Sequence, residues 1–190
     1  SGVSTEATVS ITVTAVNDAP VSADGSVTTT EDTSVNVALS GSDVDGDALT
    51  YAVGTATNGT VTVSGNTATY TPNANYFGTD SFTFTASDGT LTSDSSTITV
   101  TVTSVNDVPE ASNIIVTTQE DTSIEVTFSA TDVEDTSFIY TIVEQPDNGT
   151  ISTINNNIVT YTPGLNYNGS DTFTYTCLLY TSDAADDGLC

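Results

Sequence analysis

The chain has 190 residues, of which 25 are Asp or Glu and none is Lys, Arg or His, so its formal net charge is −25. Nucleic-acid binding and attraction to anionic membranes both depend on basic side chains, and this composition excludes them. No stretch approaches the roughly 20 apolar residues of a membrane span, so membrane insertion is not expected. Because basic side chains are absent, clustered carboxylates must be solvated, bonded by backbone N–H groups or neutralised by cations from outside.

Alternating apolar and polar residues predict β-strands along the chain, and no helical period is present. Phe82 and Phe84 alternate with threonines, and so do Val100 and Val102, which is the period of a half-buried strand. Asn-Gly and Asp-Gly turn signals separate such runs. In residues 17–105 the predicted strands, in chain order, lie near 25–29, 34–40, 48–54, 60–63, 67–71, 80–87 and 95–104. Seven short antiparallel strands in about 90 residues predict an all-β fold, an immunoglobulin-like sandwich.

The apolar side chains on one face of these strands form the predicted core. They are Val35, Val37, Leu39, Leu49, Tyr51, Val53, Tyr70, Phe82, Phe84, Ile98 and Val100. A sugar-stacking role is conceivable for Tyr70 or Tyr76, but burial is the preferred interpretation of the aromatic residues.

The sequence repeats itself with a period the size of a domain. Val16-Asn17-Asp18-Ala19-Pro20 returns as Val105-Asn106-Asp107-Val108-Pro109, and Glu31-Asp32-Thr33 returns as Glu120-Asp121-Thr122, both at an offset of 89. The offset grows to 91 where Tyr70-Thr71-Pro72 returns as Tyr161-Thr162-Pro163, as expected when loops absorb extra residues. A unique active site is not expected in every member of an array, so the repeats argue against catalysis.

The same alignment predicts the domain boundaries. Residues 1–16 match 90–105 and are interpreted as the last strand of a preceding repeat. Residues 17–105 form one complete repeat, and residues 106–176 form a second repeat that is truncated before its last strand.

A different kind of sequence follows. Residues 177–187 resemble the translation of a transposase sequencing adapter, and residues 177–190 are interpreted as a non-native tail without functional meaning. Both cysteines, Cys177 and Cys190, lie in this tail, so no disulfide is expected in the genuine part.

Several short motifs follow one another in the repeats. They are Asn-Asp-x-Pro, Glu-Asp-Thr, Asp-Val-Asp-Gly-Asp-x-Leu-Thr-Tyr, Asn-Gly-Thr, Tyr-Thr-Pro, Gly-x-Asp-Ser-Phe-Thr-Phe and Ser-Asp-Gly. Their order, over essentially all of residues 1–176, resembles the cadherin-like tandem repeats of giant bacterial surface adhesins. The resemblance implies a secreted, calcium-dependent stalk at the bacterial cell surface, with a role in cell adhesion or biofilm formation. Its partners would be neighbouring repeats of the same chain, while other domains would contact surface glycans or a host or biofilm matrix.

The resemblance also implies a calcium ligand set. In animal cadherins, calcium lies between successive domains and is held by an acidic linker, by an Asp-x-Asp pair of the next domain and by a Glu at the base of the previous one. The matching residues here, which are the implied metal ligands, are Asn17, Asp18, Glu31, Asp43, Asp45, Asp88, Asn106, Asp107, Asp132 and Glu134. The linkers lack the leading Asp and final Asn of the cadherin motif, so one or two weaker calcium sites are expected at each linker rather than a full cluster of ions.

The chemistry fits calcium, which prefers oxygen ligands and binds flexible extracellular modules at about 10⁻⁴–10⁻³ M. The competing interpretation of the segment Asp43–Asp47 is a polar hairpin turn. An EF-hand is excluded because Gly46 is fourth, not sixth, counted from Asp43. For the Glu31-Asp32-Thr33-Ser34 motif a loop-ordering role is favoured slightly over direct ligation. Asp80 and Asp171 are expected to cap turns.

Enzymatic activity is not expected. Without His, Lys, Arg or a genuine Cys, only paired carboxylates could act as acid and base, and the carboxylates here lie on repeated turns. The alternative function from another class is a carbohydrate-binding or accessory β-sandwich module of a secreted hydrolase.

Overall fold

The structure, a computed structural model, describes Gly2 and residues 4–179. It forms two compact units, residues 1–104 and residues 105–190, which are called the first and second domains below. The described residues contain strands and turns but no helix, so the predicted all-β immunoglobulin-like class is confirmed. Within this part of the chain there is accordingly no helix long and apolar enough to cross a membrane.

Nine strands occur among the described residues of the first domain. They are β1 (Val21–Ala23), β2 (Gly25–Thr30), β3 (Val35–Ala38), β4 (Ser40–Ser42), β5 (Thr50–Val53), β6 (Gly59–Ser64), β7 (Thr67–Pro72), β8 (Gly78–Ser87) and β9 (Ser96–Thr103). One sheet has the order β2-β9-β8-β5, a second has the order β3-β7-β6, and β1 pairs only with β4. The seven predicted strands all correspond to members of the two larger sheets.

The predicted strand at 34–40 is divided by a change of sheet at Leu39. Strand β3 pairs with β7, whereas β4 pairs with β1. Leu39 lies between them, buried, and its backbone N–H donates to the carbonyl of Asn66 at 2.8 Å. A period of two continues through such a crossing, so the sequence pattern does not reveal it.

One pairing departs from the all-antiparallel expectation. Strand β2 lies parallel to β9, in register from Gly25 opposite Ile98 to Thr30 opposite Thr103. The sequence pattern locates strands but carries no information on their direction, because both pairings need the same alternation of side chains.

The core of the first domain lies between its two larger sheets. Its fully buried members are Leu39, Ala68, Tyr70, Phe82, Phe84, Ile98, Val100 and Val102, and half-buried side chains such as Val35, Val37, Tyr51 and Val53 pack against them. Of the predicted core residues, only Leu49 lies outside this cluster, at the half-buried edge near Gly41. Tyr70 is 0% exposed, so the burial interpretation of this residue is confirmed.

A buried carboxylate of β8 holds the loop between β5 and β6 in the first domain. Asp80 accepts hydrogen bonds from the backbone N–H of Thr57, Asn58 and Ser81 and from the hydroxyl of Tyr70 at 2.9 Å. Burial alone would raise the pKa of Asp80, but these hydrogen bonds to the charged form together outweigh it and lower the pKa. The predicted turn-capping role of Asp80 is confirmed.

The Asn-Gly-Thr motif has a packing reason. A Cβ atom on Gly59 would lie 2.6 Å from the ring of Tyr70 and 2.6 Å from the carbonyl oxygen of Thr71. Only glycine therefore lets the Tyr70 ring cross the strand and reach Asp80. The second domain repeats the arrangement with Gly149 and Tyr161.

Seven strands occur among the described residues of the second domain. They are β10 (Glu110–Ala111), β11 (Ile124–Thr127), β12 (Ala130–Thr131), β13 (Phe138–Glu144), β14 (Gly149–Ile151), β15 (Ile158–Pro163) and β16 (Thr174–Leu179). They form a sheet of order β11-β15-β14 and two pairs, β13-β16 and β10-β12. The fully buried apolar residues described here are Val126, Phe128 and Val159, and the ring of Phe128 stacks on that of Tyr175 at 4.3 Å between centroids.

The segments outside the predicted repeats differ in structure. Residues 4–20 belong to no strand of the described structure. Residues 177–179, which are part of the predicted adapter-derived tail, continue β16 and pair with 138–140. Strand pairing does not bear on the origin of a segment, so the non-native tail and the assignment of 1–16 to a preceding repeat stay predictions. Residues 180–190, with Cys190, lie outside the described residues.

Candidate metal sites

The first domain brings three carboxylates together in the loop after β4. Asp43, Asp45 and Asp47 each place one carboxylate oxygen within 4.8 Å of the others. The loop folds around Asp43, whose Oδ1 accepts from the backbone N–H of Asp45 at 2.9 Å and of Asp47 at 3.5 Å. Gly46 has a φ of 84°, which closes the turn at little cost because glycine has no Cβ. The loop is therefore a polar turn, as the competing interpretation predicts, and it also groups oxygens that are suited to a cation.

The linker before β1 is tied to the same end of the domain. The backbone N–H of Asp18 donates to Asp45 Oδ2 at 2.8 Å, and the side-chain amide of Asn17 donates to Asp88 Oδ2 at 2.9 Å. The backbone N–H of Leu91, the Asn17 amide and the backbone N–H of Thr90 hold the pKa of Asp88 below its usual value. Two neighbouring linker residues thus reach the predicted ligands of the first domain. Asp18 contacts the turn that contains Asp43 and Asp45, and Asn17 contacts Asp88.

The second domain repeats the turn around Asp43 and the contact of Asp18 with Asp45. Asp132 Oδ1 accepts from the backbone N–H of Glu134 at 3.0 Å and of Asp135 at 2.9 Å. Glu134 Oε2 accepts from the backbone N–H of Asp107 at 3.1 Å. One carboxylate oxygen of Glu134 and one of Asp107 also lie within 4.8 Å of each other. Residues 132, 134 and 107 stand 89 positions after 43, 45 and 18, so the same local fold arises twice.

The contact of Asn17 with Asp88 is not repeated in the second domain. The side-chain amide of Asn106 donates to the carbonyl of Asp107 instead, at 2.8 Å, and the position that corresponds to Asp88 falls at Leu179, in the predicted non-native tail. The position that corresponds to Asp47 holds Thr136. The candidate site of the second domain therefore has fewer carboxylates of its own than that of the first.

Several oxygens in these loops are buried and lack a hydrogen-bond donor. Asp43 Oδ2, Asp132 Oδ2, Asp107 Oδ2 and Glu134 Oε1 have no hydrogen-bond partner among the described residues. An ionised oxygen that is removed from water without a donor is costly, and a bound cation would compensate it. The oxygens that these loops bring together are carboxylate oxygens, which suit a hard cation such as Ca²⁺ better than a transition metal.

Glu31 lies away from the other predicted ligands of its own domain. Its backbone N–H donates to the carbonyl of Thr103 at 2.9 Å, at the end of the parallel β2–β9 pair. Because β8 and β9 are antiparallel, Asp88 at the end of β8 and Thr103 at the end of β9 lie at opposite ends of the sheet. Glu31 thus marks the end at which the chain leaves the first domain.

The neighbouring Asp32 supports the loop-ordering interpretation of its motif. Asp32 has a φ of 55° and accepts from the backbone N–H of Asn75 at 3.1 Å. Asp121 and Asn166 make the corresponding bond at 2.8 Å in the second domain. In the first domain the motif therefore holds the loop at Asn75, and it does so through Asp32, the residue next to the predicted ligand Glu31.

The predicted ligand set omitted Asp47. Its signal in the sequence was the alternation Asp-x-Asp-x-Asp, in which every second residue of one tight turn is a carboxylate.

In the second domain, Asp171 repeats the loop-holding role of Asp80. It accepts from the backbone N–H of Asp147, Asn148 and Thr172 and from the hydroxyl of Tyr161. Burial and the bond to Asp171 raise the pKa of Tyr161 to about 12, and the predicted turn-capping role of Asp171 is confirmed.

The repeated sandwich and its acidic loops define a tandem of immunoglobulin-like domains. The chain belongs to the family described as Bacterial Ig domain, whose sequence profile matches residues 17–101 and 106–177. No curated protein sequence matches it significantly.

Among solved structures, human protocadherin-24 EC1-2 is 20% identical with a TM-score of 0.49, over 86% of this chain and 94% of that one. An endo-fucoidan hydrolase from glycoside hydrolase family 107, in an H294Q variant, is 23% identical with a TM-score of 0.40, over 86% of this chain. The chain spans only 27% of the length of that hydrolase. The titin domains z1z2, in complex with telethonin, are 11% identical with a TM-score of 0.34, over 87% of this chain and 98% of that one. Identities at this level carry no information on function.

Proposed function

We propose that the chain is a non-catalytic, calcium-binding spacer from a long extracellular adhesin of the bacterial surface, and that calcium stiffens its tandem domains. The observation that carries this proposal is a buried carboxylate oxygen at the same loop position of each domain. Asp43 Oδ2 and Asp132 Oδ2 both lack a hydrogen-bond partner among the described residues. The same uncompensated oxygen in both repeats supports a ligand that is common to them.

The composition determines what that ligand can be. The sequence has no Lys, Arg or His, so an ion from outside is the only positive charge available to these loops. Oxygen-only donor sets on flexible loops bind Ca²⁺ at about 10⁻⁴–10⁻³ M in extracellular modules. A site of that affinity is filled where calcium is millimolar, which favours a location outside the cell.

Stiffening is the part of the proposal that depends on the resemblance to cadherin repeats. That resemblance adds Glu31, from the base of one repeat, as a ligand for calcium held at the start of the next. Two domains on a short linker hinge freely by default, and a shared cation would restrict that motion. The E31Q variant tests this part separately from calcium binding itself.

The test is the melting temperature of the 190-residue chain in calcium, in magnesium and in chelator, under reducing conditions. Calcium should raise the melting temperature in a saturable way, because a ligand that binds only the folded state stabilises it by mass action. The D43N/D132N variant should lose most of this rise. The D94N/E125Q variant removes the same charge from two exposed positions and should keep it.

Small-angle scattering supplies the second measurement. Calcium should increase the maximum dimension of the wild-type chain and narrow its distribution, and E31Q should reduce this change while leaving most of the thermal shift. If melting temperature and maximum dimension are the same in calcium and in chelator, the chain is a passive spacer and the proposal is wrong.

A further inference from the structure

A bond between aspartate and a following glycine is open to a spontaneous rearrangement. The glycine nitrogen attacks the side-chain Cγ of the aspartate, and the two residues close a five-membered succinimide ring. The attack is intramolecular, so both groups are already in place, and glycine has no Cβ to hinder the approach. Whether a given Asp-Gly pair reacts in a folded protein depends on how firmly the fold holds the attacking nitrogen and the carboxyl group.

The described residues contain three Asp-Gly pairs, which are 24–25, 45–46 and 88–89. The first pair is held by the sheet. Asp24 Oδ1 accepts from the backbone N–H of Thr97 at 2.7 Å, and Gly25 is the first residue of β2, in register with Ile98 of β9. Ring closure at this pair would have to break strand pairing.

The pair at 88–89 is held by hydrogen bonds on both reacting groups. Asp88 Oδ1 accepts from the backbone N–H of Thr90 at 2.6 Å and of Leu91 at 2.7 Å. The nitrogen that would attack is bonded as well, since the backbone N–H of Gly89 donates to Ser87 Oγ at 3.1 Å. This loop therefore resists ring closure at the nitrogen and at the carboxylate.

The pair at 45–46 is held much less. Asp43 Oδ1 accepts from the backbone N–H of Asp45 and of Asp47 but not from that of Gly46, which has no acceptor among the described residues. Both residues of the pair are exposed, and beyond its chain neighbours no atom lies within 4 Å of the place of a Cβ on Gly46. In the described structure one donor holds the Asp45 carboxylate, the backbone N–H of Asp18.

The second domain builds the same turn without this weakness. Asp135 stands 89 positions after Gly46, and its backbone N–H donates to Asp132 Oδ1 at 2.9 Å. Glu134 stands at the position of Asp45, and its longer side chain would have to close a six-membered ring, which forms far more slowly. The two turns thus differ at the nitrogen that attacks and at the carboxyl group that is attacked.

We propose that Asp45-Gly46 is a site of spontaneous isoaspartate formation, and that among the three Asp-Gly pairs the fold restricts the reaction to this turn. In the first step the bond from Gly46 nitrogen to Asp45 Cγ forms, the bond from Cγ to its hydroxyl oxygen breaks, and the hydroxyl leaves with the amide proton as water. In the second step water opens the ring at the former backbone carbonyl. One water is released and one is taken up, so the mass is unchanged and neither oxidant nor enzyme is needed.

The product alters the turn in which it forms. In isoaspartate the chain runs through Cβ and Cγ, so the backbone gains one atom, and the free carboxylate stands directly on Cα. The close grouping of Asp43, Asp45 and Asp47 and the contact with Asp18 both depend on the original spacing. The reaction therefore removes the acidic group of the first domain while leaving that of the second domain intact.

Peptide mapping of the 190-residue chain after prolonged incubation at physiological temperature tests the proposal. The buffer contains chelator, so the result does not depend on whether the turn binds a cation. Chymotrypsin should release residues 40–49 and 85–91, which separate Asp45 from Asp88. Isoaspartate changes elution but not mass, and electron-transfer fragmentation locates it. Conversion at Asp45 should exceed that at Asp88 by about tenfold or more, because breaking even one hydrogen bond before ring closure costs about that factor.

Two variants and one unfolded sample serve as controls. The D45E change should abolish isoaspartate in peptide 40–49, and the matched D47E change, which adds the same methylene to the same turn, should leave it. In denaturant Asp45 and Asp88 should convert at similar rates, since the hydrogen bonds of the fold are gone. Circular dichroism checks that both variants are folded. Equal conversion of Asp45 and Asp88 in the folded chain overturns the proposal, and so does a folded chain in which Asp45 stays unconverted while the unfolded chain reacts.

Discussion

The first and second domains have the same sequence pattern, yet they differ in how much of it is paired. The first buries nine apolar residues and the second buries three among the described residues. The second has lost strand structure at 114–119 and 169–173, which correspond to the two neighbours of β9. Strand formation in this fold is therefore a property of the sheet, since segments with suitable side chains remain irregular where no described residues form the strand between them.

The largest expected effect comes from giving the second domain a counterpart of β9, which its described residues do not contain. Replacing residues 177–190 by a copy of residues 86–105 should convert its core to that of the first domain. Because each fully buried Ile or Val contributes about 1.5–3 kcal/mol, we expect its free energy of unfolding to rise by about 3 kcal/mol or more. Denaturant unfolding followed by tyrosine fluorescence measures this.

Limited chymotrypsin digestion provides the control for that comparison. In the wild-type chain the second domain should be cut before residues 17–105, and the replacement should remove the difference. A replacement in which positions copied from Ile98 and Val100 are Asp should restore early cleavage. Faster cleavage of the first domain in the wild type would contradict the account of both domains.

A smaller effect is expected from the carboxylate that bonds the Asn-Gly loop in each domain, which is Asp80 in the first and Asp171 in the second. The D80A change leaves three partly buried backbone N–H groups without their acceptor and removes the shorter of the two hydrogen bonds of the buried Tyr70 hydroxyl, so a loss of about 2–4 kcal/mol is expected. The D171A change should cost about 1–2 kcal/mol, because Asp171 is only half-buried. Denaturant unfolding of each variant measures both losses, and D94A, at an exposed position, serves as the control. Equal losses in the two domains would contradict the difference in burial.

The smallest effect is a dependence of stability on acid pH. The pKa of Asp80 and of Asp171 is lowered in the folded domains from an ordinary value of 3.8. The charged form is the one that the fold stabilises, so this contribution is complete above the ordinary pKa and is lost as the pH falls through the lowered one. The difference in denaturant midpoint between the wild type and D80N should therefore be largest near neutral pH and should shrink below about pH 4. A difference that stays constant to lower pH would contradict the proposed role of the charge.

Much of the fold could be predicted because its signals are local. Alternation located the strands, and Asn58-Gly59 and the Glu31-Asp32-Thr33-Ser34 motif located the turns and loops. The crossing at Leu39 and the parallel direction of β2 could not be predicted, since both depend on which distant strand offers free hydrogen-bonding groups. The state of 114–119 is a similar case, because its side chains suit a strand whose partner is absent from the described structure.

The candidate site was predictable in part for the same reason. The acidic pairs Asp43 with Asp45 and Asp132 with Glu134 lie within single turns, so their short separation in the sequence is enough to bring them together. The contact of Asn17 with Asp88 joins residues 71 positions apart and needed a resemblance to suggest it. No local signal distinguished Asp43 Oδ2, which is buried without a donor, from its neighbour Oδ1, which caps the turn.

The parallel pairing of β2 with β9 has a mechanical consequence. One strand begins near the point where the chain enters the first domain and the other ends where the chain leaves it, and six residue pairs hold them side by side. Tension along the chain would pull the two strands past each other, so the whole row of backbone bonds would carry the load together. Strands joined as a hairpin would instead open one bond at a time. In the second domain the corresponding row is absent from the described residues, and a pulled chain should yield there first.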